Sequence, residues 1–98
     1  MRRVLVCGGR DYTDEARLYR LLDAAHKRDP FSVVIHGDFR GADKLAKAWA
    51  ASRGVPEEPY AADWASYGKA AGPKRNARML AEGKPDIVVA FPGNDGTK

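Results

Sequence analysis

Short apolar runs bounded by glycine or proline alternate along the chain with segments whose apolar residues recur at helical spacing. Val4-Leu5-Val6-Cys7 is the first run, and Gly8-Gly9-Arg10-Asp11 closes it. It reads as a fully buried strand. Thr13 is placed to cap the next segment, with Asp14 and Glu15 favourable at the positive end of a helix. Leu18, Leu21, Leu22 and Ala25 then share one helical face, and Pro30 ends it. Ser32 to His36 is a second β-branched run, stopped by Gly37. A second helix carries Ala42, Leu45, Ala46 and Trp49 on one side, with Gly54 as its natural left-handed terminator. Val55 to Tyr60 is a poorer strand, because Pro56 and Pro59 donate no ladder hydrogen bonds, and this predicts an edge position. Residues 61–71 show no clear period. Pro73 suits the first turn of a third helix, and Pro73, Asn76, Ala77 and Leu80 mark its predicted inner face. Gly83 ends that helix, and Asp86 to Phe91 is the last strand.

Strand and helix thus alternate as β-α-β-α-β-α-β, which requires crossover connections and a parallel sheet. Right-handed crossovers in a doubly wound layout predict the strand order 3-2-1-4. The proline-broken third strand then falls at an edge. Helices one and two cover one face, and the third helix alone covers the other. Strand four is also an edge in this order, although its composition suits a central strand. Exposed apolar edges and patches favour pairing, so the expected state is a homo-oligomer formed through strand four or the undercovered face.

The chain has 98 residues, room for one domain over 1–98. Its net charge of +4 and pI near 9.4 suit a solvated basic surface or a phosphate-bearing partner. Cys7 is the single cysteine, so no internal disulfide forms, which suits a reducing, cytoplasmic setting. The N-terminal apolar stretch is too short for a signal peptide, and no segment is long enough to span a membrane.

Ligands of open α/β sheets bind beyond the carboxyl ends of the strands, and the unusual residues collect there. Gly8, Gly9, Arg10 and Asp11 follow strand one. His36, Gly37, Asp38, Phe39, Arg40, Gly41 and Asp43 end strand two and lead into the second helix. Pro92, Gly93, Asn94, Asp95, Gly96 and Thr97 follow strand four. Glycines allow close backbone approach and leave N–H groups aimed at an anion. Strands one and four flank the switch point, so their loops should meet. Arg75 and Asn76 open the third helix, where Arg75 is placed to hold a phosphate or carboxylate. Asn76 is expected inward, bonded to a loop or to ligand. His36 is either a hydrogen-bonded structural histidine or a site group. Asp43 either caps the second helix or contacts ligand. Asp11 and Asp38 suit ribose hydroxyls, a metal or a neighbouring arginine, and Arg10 and Arg40 suit phosphate or those acids. Trp64 and Tyr67 either stack on a base or pack against the third helix. No Cys/His set has metal-ligand spacing, so no metal and no cofactor are expected.

Four ordered stretches resemble the SLOG superfamily, in its YspA-like, cpYpsA-related branch. They are Gly8-Gly9-Arg10-Asp11; His36-Gly37 with Gly41-Ala42-Asp43; Gly72-Pro73 with Arg75-Asn76 and Met79; and Phe91-Pro92-Gly93 with Gly96-Thr97. The resemblance implies a Rossmann-like fold that binds a nucleotide or nucleotide-derived ligand. A nucleoside monophosphate, an ADP-ribose or NAD-like molecule and a cyclic nucleotide all fit, with the protein acting as sensor or sequestering module. Related LOG phosphoribohydrolases cleave the N-glycosidic bond of nucleoside monophosphates, and DprA relatives bind single-stranded DNA; both activities stand as alternatives. By the same resemblance Gly93, Gly96 and Thr97 cradle phosphate, and Arg75 with Met79 matches the hydrolases' Arg-x-x-x-Met motif. Two departures weigh against hydrolysis. Asn94 stands where the hydrolase loop PGGxGT has its second glycine, and the sequence reaches Lys98 before the position of the catalytic Glu. Arg75 and Asp11 remain the catalytic candidates. The expected domain is short at its C-terminus, without the helix and strand that follow in relatives.

Overall fold

A computed structural model describes residues 2–92. Strands β1 (Arg2–Gly8), β2 (Phe31–His36), β3 (Glu57–Pro59) and β4 (Ile87–Phe91) form one sheet in the order β3-β2-β1-β4. All pairings are parallel: Val4 lies opposite Val34 and Ile87, and Val34 opposite Glu57. Helices α1 (Glu15–Arg28), α2 (Ala42–Arg53), α3 (Trp64–Tyr67) and α4 (Ala71–Gly83) fill the crossovers, with a 3-10 turn (Gly68–Ala70) joining the last two. The expected α/β architecture and strand order are both present. Among the described residues, no helix is long and apolar enough to cross a membrane.

The alternation of side chains along a strand sends apolar residues to both faces of the central strands. On one face Val4, Val6 and Val34 pack beneath Leu18 and Leu22 of α1 and Ala46 and Trp49 of α2. On the other, Leu5, Val33 and Ile35 meet Tyr60 and Met79 of the single covering helix and its approach. This second layer is thin: Leu80 and Val88 are 58% and 52% exposed. β3 is shorter than its apolar run suggested, with three residues at the sheet edge, as its prolines require.

Three local expectations are corrected. The cap of α1 is Asp14, whose carboxylate accepts from the Arg17 N–H at 3.1 Å, rather than Thr13. Leu21 sits at the margin of the buried face and is 43% exposed. The inner face of α4 is set by Ala71, Gly72, Met79 and Gly83, while Pro73, Asn76, Ala77 and Leu80 are exposed. The cause is size. Gly83 lets the helix press against Ile35, where a Cβ would stand 3.2 Å from Cδ1, and Gly72 lies under Trp64. Inner positions filled by glycine and alanine carry little hydrophobic signal, so the apolar period in the sequence falls one position away from the buried face.

Arg3 ties the far end of this layer together. Its Nε donates to the Gly83 carbonyl at 2.7 Å, closing α4, and its Nη2 reaches Glu58 at 2.9 Å. Its backbone exchanges two 2.8 Å bonds with Asp86 at the entry to β4.

Trp49, fully buried, donates its indole N–H to Asp23 at 2.9 Å. Arg53 grips the same carboxylate through Nε and Nη2, both at 2.7 Å, a bidentate charge-assisted pair. Arg53, and then the indole, hold Asp23 at about 2, below its ordinary 3.8. A carboxyl depressed by folding stabilises the fold above its ordinary value and loses that contribution as pH falls through about 2. Wild type should therefore lose more stability to urea between pH 4 and pH 2 than Asp23→Asn, which keeps an acceptor for Trp49. Parallel declines in the two proteins would refute the assignment.

Candidate functional site

The carboxyl ends of the strands build a rim largely from backbone. Gly8 pairs with Phe91 across β1 and β4, so the ends of these two strands do meet. A Cβ at Gly8 would stand 2.8 Å from both the Ala42 side chain and the Phe91 carbonyl, so three elements converge there. The Gly9 carbonyl accepts from Tyr12 N–H at 3.1 Å and from Ala42 N–H at 3.2 Å, tying the first loop to the start of α2. Gly41 makes this contact possible. Its φ is +76°, and a Cβ would overlap the Gly9 carbonyl oxygen and the Arg10 backbone.

Behind the rim, polar side chains hold the β2–α2 loop. Asp43 is buried, and its carboxylate accepts from the Gly37 and Phe39 N–H groups. Burial pushes its carboxyl above the ordinary value, against the opposing pull of Arg75 and His36. Arg75 donates from Nη1 to the Gly37 carbonyl at 2.5 Å and from Nε to Asn76 Oδ1 at 2.8 Å. His36, fully buried, accepts from Asp38 N–H on Nδ1 at 3.0 Å. That leaves the proton on Nε2, which donates to Glu57 at 2.6 Å. Both ring nitrogens are therefore engaged in structure. His36 and Asp43 both brace the β2–α2 loop from inside.

The remaining candidates fall as follows. Asp11 and Arg40 are exposed and 3.9 Å apart, an ion pair worth about 1 kcal/mol or less. Arg10 is exposed on the same loop. Asn76 is exposed rather than inward. It borders a hollow of about 210 Å³ with Leu5, Cys7, Met79, Leu80 and Val88, on the undercovered sheet face and not at the glycine loops. Pro92 is exposed, and the expectations on Gly93, Asn94, Gly96 and Thr97 lie outside the described residues. Trp64 packs on Phe39, ring centroids 5.7 Å apart, and touches α4 at Gly72. Tyr67 carries Lys74 over its ring at 4.8 Å. Burial, and secondarily Asp43, push the Cys7 thiol up, which disfavours a thiolate nucleophile. No group of three metal-ligating side chains occurs among the described residues.

Sequence reasoning missed Tyr12. Its ring lies on Phe91, centroids 5.2 Å apart, at the junction of the first loop and β4. Its hydroxyl is buried with no hydrogen-bond partner among the described residues, and desolvation raises its pKa. A tyrosine in a polar loop carries no periodicity, so no pattern marked it.

Three substitutions probe this packing. Gly41→Ala should cost about 1–3 kcal/mol or more, from left-handed strain plus collision with Gly9. Gly54→Ala, at φ +69° with nothing within 4 Å, should cost only the strain, about 1–2 kcal/mol. Equal losses in urea melts would mean that the rim is not closely packed. Tyr12→Phe should be neutral or stabilising, since an unpaired buried hydroxyl costs about 1–3 kcal/mol. A loss above about 1 kcal/mol would show that the hydroxyl has a partner.

The family described as "YspA, cpYpsA-related SLOG family" matches residues 2–67, a stretch containing both the Gly8–Asp11 loop and the His36–Asp43 loop. The Gene 61 protein of Mycobacterium phage D29 is 40% identical over 98 aligned residues, covering 94% of this chain and 78% of that protein. No solved structure gives a significant match. With its parallel sheet in the order β3-β2-β1-β4 and its two glycine-rich strand ends within the matched stretch, the chain belongs to the YspA, cpYpsA-related SLOG family.

Proposed function

We propose that the protein binds a nucleotide or nucleotide-derived ligand at the carboxyl ends of its strands, as a sensor or sequestering module. Family membership points to a nucleotide-related role. The observation that carries the reading is the convergence of Gly8 with Ala42 and the end of β4, and of Gly41 with the Gly9–Arg10 backbone, at spacings that only glycine permits. A rim of that kind lets backbone N–H groups approach phosphate closely.

Binding is preferred over turnover because of how the carboxylates are placed. Asp43 holds two backbone N–H groups inside the loop. Asp11 faces Arg40 on the exposed side. Arg75, expected as a phosphate or catalytic group, holds the Gly37 carbonyl and acts on the site through the loop it positions.

Thermal unfolding with nucleoside monophosphates, ADP-ribose, NAD and cyclic nucleotides tests the reading. A ligand at a hundred times its Kd adds about 2.7 kcal/mol, enough to raise the Tm of a domain this size by about 10 °C or more. At least one of these should do so at millimolar concentration, without release of free base. Absence of any shift would overturn the reading. Base release would move it to N-glycosidic hydrolysis.

A further inference from the structure

Among the described residues, five large apolar side chains are exposed, and three of them, Leu21, Leu80 and Val88, border one edge of the sheet. Val88 lies on β4, whose one described neighbour is β1. Asn76 and Leu80 of α4 meet Val88 around the hollow on one face. On the other face, α1 turns Tyr19, Asp23 and His26 toward α2. Leu21 is on its opposite flank, where Ala25 and Arg28 border Ile87. The row Pro73, Asn76, Ala77 and Leu80, whose period in the sequence calls for a cover, is exposed. The two sheet edges are also built differently. β3 is Glu57-Glu58-Pro59, where charge and proline discourage a further strand. β4 runs Ile87-Val88-Val89-Ala90-Phe91, with no charge, proline or bulge.

The ladder fixes which backbone groups of β4 are open. Val34 N–H donates to Pro56, so Val34 serves β3. Val4, opposite Val34, therefore bonds to β2, and its neighbour Leu5 bonds to β4. Leu5 lies opposite Val88, so its partners are Ile87 and Val89. Val88 and Ala90 are left with N–H and C=O groups pointing outward. We propose that this edge pairs antiparallel with β4 of a second copy of the chain, about a two-fold axis at Val89. In that register Val88 and Ala90 exchange hydrogen bonds with Ala90 and Val88 of the second copy. Val89 faces Val89, Ile87 faces Phe91, and no two charges meet along the strand. This self-complementarity selects a second copy: one axis satisfies every open group and covers every side chain of the strand. The strand and its two helix flanks make a face of roughly 17 by 30 Å, so a pair buries about 1,000 Å² in total, the lower limit for a specific interface. The result is one sheet of eight strands, four from each copy. Its glycine rims lie at opposite ends, so pairing does not depend on what the rim binds.

Sedimentation equilibrium of the full chain from about 10 μM to 1 mM should show monomer passing to dimer. Over that range the Val88 and Ala90 amides should slow in hydrogen exchange by about tenfold or more, in step with the dimer fraction, while Val89, bonded to β1, stays slow throughout. Val88→Lys, at a half-exposed position, should keep the fold and set two ammonium groups diagonally across the axis. It should weaken dimerisation by about tenfold or more. Val89→Cys should give a disulfide-linked dimer on oxidation, because facing residues at a non-hydrogen-bonded position stand about 4.5 Å apart. Cys7 packs on the other sheet face and does not compete. A monomer at every concentration up to about 1 mM overturns the proposal. So does a dimer that survives Val88→Lys with the Val88 and Ala90 amides still fast, which places the contact on another face. Slow Val88 and Ala90 amides in a monomer also overturn it, because the edge is then covered within one chain.

Discussion

The peptide group at Gly37 is held from two sides at once, and the functional end of the molecule depends on that grip. Asp43, on the helix above one sheet face, takes its N–H. Arg75, on the helix covering the other face, donates to its carbonyl. A side chain at this position would collide with the Arg75 guanidinium, so glycine is required for the two to meet. Through one residue the loop after β2 is bound to both layers. It cannot shift without breaking a charge-assisted hydrogen bond or exposing a buried carboxylate.

Several other polar residues beside the rim are bonded to the same loop. His36 uses one nitrogen on Asp38 and the other on Glu57, linking the loop to the edge strand. Arg75 and Asp43 brace Gly37. Arg3 does the equivalent at the opposite end, joining α4, β3 and β4 through Gly83, Glu58 and Asp86. Polar side chains therefore set the geometry, while the rim itself is backbone and glycine. Cationic side chains facing open space collect instead on the flank of α2, at Lys44 and Lys47.

The two sheet faces are unequal. One carries two helices over a core centred on Trp49, and the other carries α4 over Ile35, Tyr60 and Met79. Strand β4 has one described neighbour, β1, and Val88 and Leu80 stay half exposed beside it. An apolar edge of this kind suits a pairing partner, and self-association through it remains the expectation raised by composition.

Element order, the parallel sheet, the edge placement of β3 and the clustering of glycine loops at one end were all legible in the sequence. Each follows from local rules: apolar period, proline's missing donor, and the handedness of crossovers. The same rules misread α4, because three of the four residues of its inner face are the small Ala71, Gly72 and Gly83, and with Met79 alone they leave no apolar stripe. The family was equally legible, since its first two glycine motifs are short local stretches that both fall within the matched residues 2–67. What the tertiary structure alone decided is which distant groups the polar residues beside the rim bond to. Arg75 lies 38 positions from Gly37 and His36 lies 21 from Glu57. Partners that far apart are chosen by helix placement across a sheet, and no local pattern encodes the distance between them.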